Sequence, residues 1–350
     1  MLLTPGPVDI PAFVQAALLR PVIHHRTAVF RAFYTALLAR LRYLFQTEAG
    51  AVCTATGSGT YGVEMAMYSL FAPGARVLAL SNGKFSARWA AYGPLLGLEV
   101  VVLERPWGAS FEVGAVLAAA AQYPDLQGVV ITHSETSTGT LVDLEPLALA
   151  LKAAHPGLLL LVDAITSVGA LPFYFDAWQI DCAVVASQKA LLNPAGLVAF
   201  AFSAQAQAAL RETHSGDFRN LGNYLQAAAT GSYPYTAPVS LLYGLDAALA
   251  YIGDQSLPVV WNRCHDAARM FREGLDALGG KLLSEAPSDS LTAFLLPGRD
   301  TEALRRQLAA QHDLHLAGGQ DAYKGRLLRV SHMGMADAAV MREVLGGLGV

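Results

Sequence analysis

The chain has 350 residues, 53% hydrophobic and 15% charged, with a formal net charge of −4. That much apolar side chain with so little charge excludes a disordered polymer, and the length suffices for one large or two medium domains around a sizeable core. The mild acidity excludes a protein whose main task is to displace counterions from nucleic acid. Cys53, Cys182 and Cys264 have no metal-ligand spacing and make a disulfide framework implausible, so a reducing cytosol fits best. The opening Met1–Pro7 lacks the pattern of a secretory signal, and no apolar stretch approaches the roughly 20 residues of a bilayer span.

Short apolar runs alternate with longer Ala/Leu-rich helical patterns. A Pro-rich dozen residues read as extended. Ala51–Ala55 reads as a strand followed by a helix over Thr60–Leu70; Arg76–Leu80 as a strand before a helix over Phe85–Leu96. Val100–Leu103 precedes a helix over Glu112–Gln122, and Gly128–Thr132 precedes one over Pro146–Ala154. Leu158–Val162 and Asp181–Ala186 read as two further strands. Unbroken apolar runs, rather than alternating ones, point to strands buried on both faces and hence to a doubly wound, mostly parallel α/β sheet. Gly253–Pro258 is a turn-rich break. Beyond it lie a long amphipathic helix over Val259–Leu278 and strands at Leu291–Leu295 and Leu327–Ser331, an α+β pattern. The expected division is an N-terminal segment 1–14, a large domain 15–254 and a small C-terminal domain 255–350.

Ligands of open α/β sheets bind beyond the carboxyl ends of the strands, so the residues following each strand carry the functional signal. After the first comes Gly57-Ser58-Gly59-Thr60-Tyr61-Gly62, a literal match to the dinucleotide glycine pattern. The next strand ends Leu80-Ser81-Asn82, without the carboxylate about 20 positions on that a ribose requires. What survives is a helix start with free N–H groups, suited to a phosphate. Asp163 closes the run Leu161-Val162-Asp163 and on its own reads equally well as a helix cap. Lys189 lies between two apolar runs, where a bare ammonium is costly to bury. Together, a phosphate-binding helix start, an aspartate and a lysine at strand ends are what pyridoxal phosphate needs. The lysine forms a Schiff base, the carboxylate keeps the pyridine nitrogen protonated, and the freed lysine moves the Cα proton.

Seven motifs in order then identify a resemblance across the whole chain: Thr4-Pro-Gly-Pro7, Ser58-Gly-Thr60, Thr132-His-Ser-Glu-Thr-Ser-Thr-Gly139, Val162-Asp-Ala-Ile-Thr-Ser167, Ser187-Gln-Lys189, Tyr233-Pro-Tyr-Thr-Ala-Pro238 and Leu328-Arg-Val330. The chain resembles the class V aminotransferases of fold type I, closest to their alanine–glyoxylate / serine–pyruvate branch. The resemblance implies Lys189 as the Schiff-base lysine and Asp163 as partner of the pyridine nitrogen. It places Ser58, Gly59, Thr60 and Gln188 around the phosphate of pyridoxal 5'-phosphate, and a hydroxyl of Thr136 near the ring. Phe85 would stack on the pyridine, and Arg329 would clamp the substrate carboxylate through its planar fork. Tyr233 and Thr236 match residues that reach the phosphate from a partner subunit.

The implied activity is a ping-pong transfer from serine or alanine to glyoxylate or pyruvate, in the cytoplasm, with no metal, membrane or nucleic acid. The extended N-terminus has no evident docking surface within its own chain, and with the high apolar content this points to a homodimer. His24 and His25, adjacent on an extended segment, face opposite ways and make a poor metal site. Rival readings are a cysteine desulfurase, an aminoethylphosphonate transaminase and a non-catalytic relative. Gln188 before the lysine and the lack of cysteine in 314–323 speak against the first two, the occupied catalytic positions against the third.

Overall fold

The apolar runs become a seven-stranded sheet in the computed structural model, which describes residues 1–211 and 216–349. Its strands are β1 (Ala51–Gly57), β2 (Arg76–Ser81), β3 (Glu99–Glu104), β4 (Leu126–Thr132), β5 (Leu159–Asp163), β6 (Cys182–Ala186) and β7 (Gly196–Phe202). Their order across the sheet is β1-β7-β6-β5-β4-β2-β3. Neighbours from β3 through β6 pair in parallel, while β7 is antiparallel to both β6 and β1. Two reversals restore the direction, so β1 points the same way as β6. All strands except β7 therefore deliver their carboxyl ends to one edge, and the turn after β1, Asp163 and the Lys189 loop converge there.

Burial explains the composition of these strands. Every residue of β5 and β6 is buried, because helices cover both faces, whereas edge strand β3 is partly exposed along its length. Strand β7 stands apart from the sequence expectation. Its run Leu197–Phe202 contains no polar residue, so no period separates a strand from a buried helix there. The helix expected over Phe85–Leu96 divides into Lys84–Tyr92 and a 3₁₀ turn Pro94–Leu96. Pro94 lacks the N–H that would continue the helical ladder past Gly93.

The break expected at Gly253–Pro258 is a single residue. The helix Val239–Gln255 runs into Ser256, whose φ of 71° turns the chain, and the helix Leu257–Leu275 starts at once. Beyond it a second sheet contains β8 (Lys281–Leu282), β9 (Leu291–Leu295), β10 (Ala317–Gly318) and β11 (Leu327–Ser331), in the antiparallel order β8-β9-β11-β10. In β11, Leu328 and Val330 point into a core with Phe271, Phe294 and Met341. The alternation of a strand turns Arg329 to the other face, toward the main sheet's carboxyl edge.

The N-terminus corrects the expectation that it has no docking surface in its own chain. Leu3 N–H donates to the His315 carbonyl at 2.9 Å, and Ser331 N–H donates to the Leu3 carbonyl at 2.8 Å. Leu3 itself is buried in the second core. The segment then crosses to the main sheet, where Val8 N–H donates to the Gln188 carbonyl, and its extended part ends at Pro11, before the helix Ala12–Leu18. It straps the two sheets together within one chain.

Candidate active site

The turn after β1 opens the helix Gly59–Leu70. Ser58 is extended and caps it, its hydroxyl accepting Tyr61 N–H at 3.2 Å. The N–H groups of Gly59 and Thr60 have no acceptor among the described residues and face outward with the helix's positive end. Gly59 packs closely, since a Cβ there would lie 2.6 Å from Ile165 Cδ1 and 3.0 Å from Ala186 Cβ and Ile165 would have to shift. The hydroxyl of Thr60 accepts from Arg88 Nη1 at 2.7 Å. Across the turn, Ser187 pins the lysine loop, its hydroxyl donating to the Pro194 carbonyl at 2.6 Å. Next to it the buried Gln188 Oε1 has no hydrogen-bond partner among the described residues.

Asp163 ends β5 and is paired in register with Thr132 and Val184. Only 5% of it is exposed, and one carboxylate oxygen accepts Ile165 N–H at 3.1 Å. Burial pushes its pKa up to about 7, the nearby Lys189 opposing the shift. Lys189 forms no ion pair among the described residues; its ammonium donates to the Pro5 carbonyl at 2.6 Å. Burial lowers the Lys189 pKa to about 8, with Asp163 pulling it up and Arg329 pushing it further down. Gly6, with φ 127°, lets the strap pass over the lysine, since a Cβ there would lie 2.1 Å from Nζ.

Glu135 fixes the wall opposite. Its fully buried carboxylate accepts Phe85 N–H at 3.1 Å and Ser86 N–H at 2.7 Å, capping the helix Lys84–Tyr92. It also accepts the Ser137 hydroxyl at 2.7 Å. Phe85 is thereby held facing the site with Arg88 behind it, the guanidinium carbon 5.1 Å from the ring centroid. Thr136 Oγ1 lies 3.4 Å from Thr166 Oγ1, and the Thr136 carbonyl accepts from Arg329 Nη1 at 3.1 Å. Arg329 Nε donates to the Gly318 carbonyl at 3.0 Å, leaving Nη2 without a partner among the described residues. Burial lowers the Arg329 pKa to about 10, Glu135 opposing, so the guanidinium stays charged at neutral pH.

Ser58, Gly59, Thr60, Phe85, Thr136, Asp163, Gln188 and Lys189 all line one cavity of about 140 Å³, and Arg329 reaches its wall through Thr136. Tyr233 and Thr236 do not join them. Thr236 is exposed. Tyr233 is 1% exposed inside its own chain, packed edge-on against Tyr34 and Tyr224, each at 5.8 Å between ring centroids. The expectation that Tyr233 reaches out to a partner does not match this placement, because its ring fills a hole in its own core. The sequence reading gave Glu135, Arg88 and the Pro5-Gly6 strap no role in the site, although Pro5, Gly6 and Glu135 lie in motifs that carry the family resemblance. A carboxylate among small hydroxyl residues in Ser134-Glu-Thr-Ser137 was the available signal for Glu135. An arginine three residues beyond Phe85, hence on its helix face, was the signal for Arg88.

Comparison with known proteins places this geometry. The family model of class-V aminotransferases matches residues 14–342. The "Soluble hydrogenase 42 kDa subunit" of Anabaena cylindrica is 34% identical, over 95% of this chain and 88% of that protein. A serine–glyoxylate aminotransferase of Methylorubrum extorquens is 32% identical, over 95% of this chain and 86% of its own. The crystal structure of a subgroup IV aspartate aminotransferase from Thermus thermophilus superposes with a TM-score of 0.91 at 33% identity, covering 99% of both chains. The chain belongs to the class-V aminotransferases: it has the type I fold of that family and is a transaminase.

Proposed function

We propose that the cavity holds pyridoxal 5'-phosphate and that the enzyme moves an amino group from serine or alanine to glyoxylate or pyruvate in two half-reactions. The observation that carries this is Asp163 and Lys189 facing one cavity beside the unpaired N–H groups of a helix start and the orphaned Gln188 Oε1. An acid and an amine that are not neutralising each other, next to an anion cradle, fit this cofactor's nitrogen, aldehyde and phosphate. When bound, pyridoxal phosphate supplies an aldehyde that links to amines and a ring that draws electrons from the substrate Cα.

The chain's residues supply the rest. Gly59 and Thr60 hold the phosphate through backbone N–H groups, with Ser58, the Thr60 hydroxyl and Gln188 beside them. Asp163 would keep the ring nitrogen protonated, and Phe85 would cover the ring's face. Lys189, its pKa lowered by burial to about 8, would be the amine that holds the cofactor's aldehyde and the base that takes and returns the Cα proton. Arg329 offers Nη2 to the substrate carboxylate, with the Thr136 hydroxyl near the reacting centre. The three thiols are buried, and burial raises their pKa, so none is poised as the nucleophile that a desulfurase needs.

The working unit is a homodimer. Leu19, Val22 and Val29 are 85%, 69% and 65% exposed on one short stretch. The same stretch holds the turn that carries Thr236, since Arg26 donates to the Tyr233 carbonyl at 3.0 Å. Exposed apolar side chains beside that turn fit a partner surface across which Thr236 would reach a second site. No described helix is long and apolar enough to cross a membrane, and three free thiols fit the cytoplasm. Borohydride reduction of protein incubated with pyridoxal phosphate, followed by peptide mass mapping, should place the adduct on Lys189; an adduct elsewhere overturns the reading. A panel of donors against glyoxylate and pyruvate, with aspartate included, then fixes the substrate pair.

A further inference from the structure

Arg88 lies on the helix Lys84–Tyr92, three residues beyond Phe85 and on the same face. It is half-buried, yet among the described residues it pairs with no carboxylate. Its polar contact is the hydroxyl of Thr60, 2.7 Å from Nη1, and its guanidinium carbon lies 5.1 Å from the Phe85 ring centroid. A half-buried cation without a counter-charge, aimed at the start of a helix that cradles an anion, is unbalanced unless the anion is present. A guanidinium only donates, so Thr60 Oγ1 must accept from it, and the one hydroxyl proton is left to point away from Arg88. Away from Arg88 lies the cavity that Thr60 lines.

We propose that Arg88 is the positioning residue for the cofactor phosphate: it fixes the Thr60 hydroxyl as a donor toward that group. The proposal rests on the pyridoxal phosphate reading above and extends it to a residue outside the cavity lining. Arg88 acts through Thr60 and does not itself touch the phosphate. Free to rotate, the hydroxyl would spend its proton on water or on a backbone carbonyl. Held by Arg88, it joins the N–H groups of Gly59 and Thr60 as a third donor at the helix start. Because Arg88 also backs Phe85, two roles have to be separated, one toward the phosphate and one toward the ring.

Equilibrium titration of the cofactor-free protein with pyridoxal phosphate and with pyridoxal, followed by absorbance and tryptophan fluorescence, separates them, since pyridoxal keeps the ring and lacks the phosphate. Arg88→Leu is expected to weaken pyridoxal phosphate about tenfold or more, the scale of one charge-assisted hydrogen bond, while pyridoxal changes less than about twofold. Thr60→Val should show the same selectivity. In the Thr60→Val background Arg88→Leu should add little, since the group it orients is already gone. Arg88→Lys, which keeps a donor and a charge, should recover part of the loss. An equal loss for both ligands in Arg88→Leu would make Arg88 a support for Phe85 or for the fold, and would overturn the proposal. Full additivity with Thr60→Val would also overturn it. If the unsubstituted protein itself binds both ligands alike, the cofactor reading falls and this proposal falls with it.

Discussion

The two ends of the main sheet each hold a lysine and a buried aspartate, and they are arranged in opposite ways. At the amino end, Lys152 and Asp181 meet at 2.5 Å with side chains 7% and 3% exposed. Lys152 also donates to the Leu158 carbonyl and Gln205 Oε1, while Asp181 accepts Leu160 N–H and the Ser203 hydroxyl. At the carboxyl end, Asp163 and Lys189 are turned to separate partners, and Gln188 Oε1 beside them has none. The first network is closed, and its charges are used up in holding the helix Leu144–Ala154 and the start of β6. The second is open, and its shifted acid and amine are what reacting groups require. Size alone misleads here, because the hollow beside Lys152 and Asp181, about 400 Å³, exceeds the site at the other end.

Breaking each pair should separate stability from chemistry. Lys189→Ala is expected to abolish turnover and borohydride trapping while leaving the denaturation midpoint unchanged or slightly raised, because a costly buried ammonium disappears. Residual transamination in that variant would remove Lys189 from the reaction. At the other end, Lys152→Met should cost about 3–5 kcal/mol by leaving Asp181 buried and unpaired, without changing activity per folded molecule. Lys152→Met combined with Asp181→Leu should recover much of that loss, and urea midpoints would show it. Activity falling in step with Lys152→Met at low temperature, where the protein is fully folded, would contradict the division of labour.

Asp163→Asn should slow the first half-reaction at least about tenfold, the worth of one charge-assisted hydrogen bond, with the cofactor still bound. It carries a second signature in the cofactor-free chain. The folded Asp163 pKa is raised to about 7 from 3.8, so between those values the folded state holds more protons than the unfolded one. Its contribution to stability is full below about pH 4 and is lost as the pH rises through about 7. The difference in urea midpoint between the unsubstituted protein and Asp163→Asn should therefore drift in favour of Asn as pH rises across that window. A flat difference would mean that burial does not hold the proton on Asp163.

The same contrast explains what the sequence could and could not disclose. β5 and β6 are short unbroken apolar runs ended by Asp163 and by Ser187-Gln-Lys189, so both the buried sheet and the residues at its edge were legible. The run in β7 was equally apolar, but a reversed strand leaves no mark of direction in composition. The roles of Glu135, Arg88 and Pro5 were hidden for another reason: each acts on a residue distant in sequence only once the chain is folded, Glu135 on Phe85 50 positions away, Arg88 on Thr60 28 positions away and Pro5 on Lys189 184 positions away. Arg329 was legible through the family motif, whereas its inward direction follows from strand alternation against Leu328 and Val330.

The smallest expected effects test the two expected site residues that lie outside the cavity, Tyr233 and Thr236. Tyr233 packs edge-on to Tyr34 and Tyr224, and its hydroxyl lies near Thr54 and Thr56 without a hydrogen bond of ordinary geometry. A buried hydroxyl without a partner contributes nothing to stability and costs its desolvation. Tyr233→Phe keeps the ring contacts and removes only that oxygen, so the denaturation midpoint should stay level or rise, by no more than about 1 kcal/mol. The affinity for pyridoxal phosphate should be unchanged, because a ring sealed in its own core reaches no phosphate. Thr236→Ala, on the exposed side of the same turn, should weaken the cofactor modestly if a second subunit brings that hydroxyl to it, and should do so only above the dimer's dissociation concentration. If Tyr233→Phe instead weakens the cofactor about tenfold, the turn must swing outward on dimer assembly, spending a donor that this placement leaves idle. Measuring both substitutions across protein concentration distinguishes a ring that fills the core from one that leaves it.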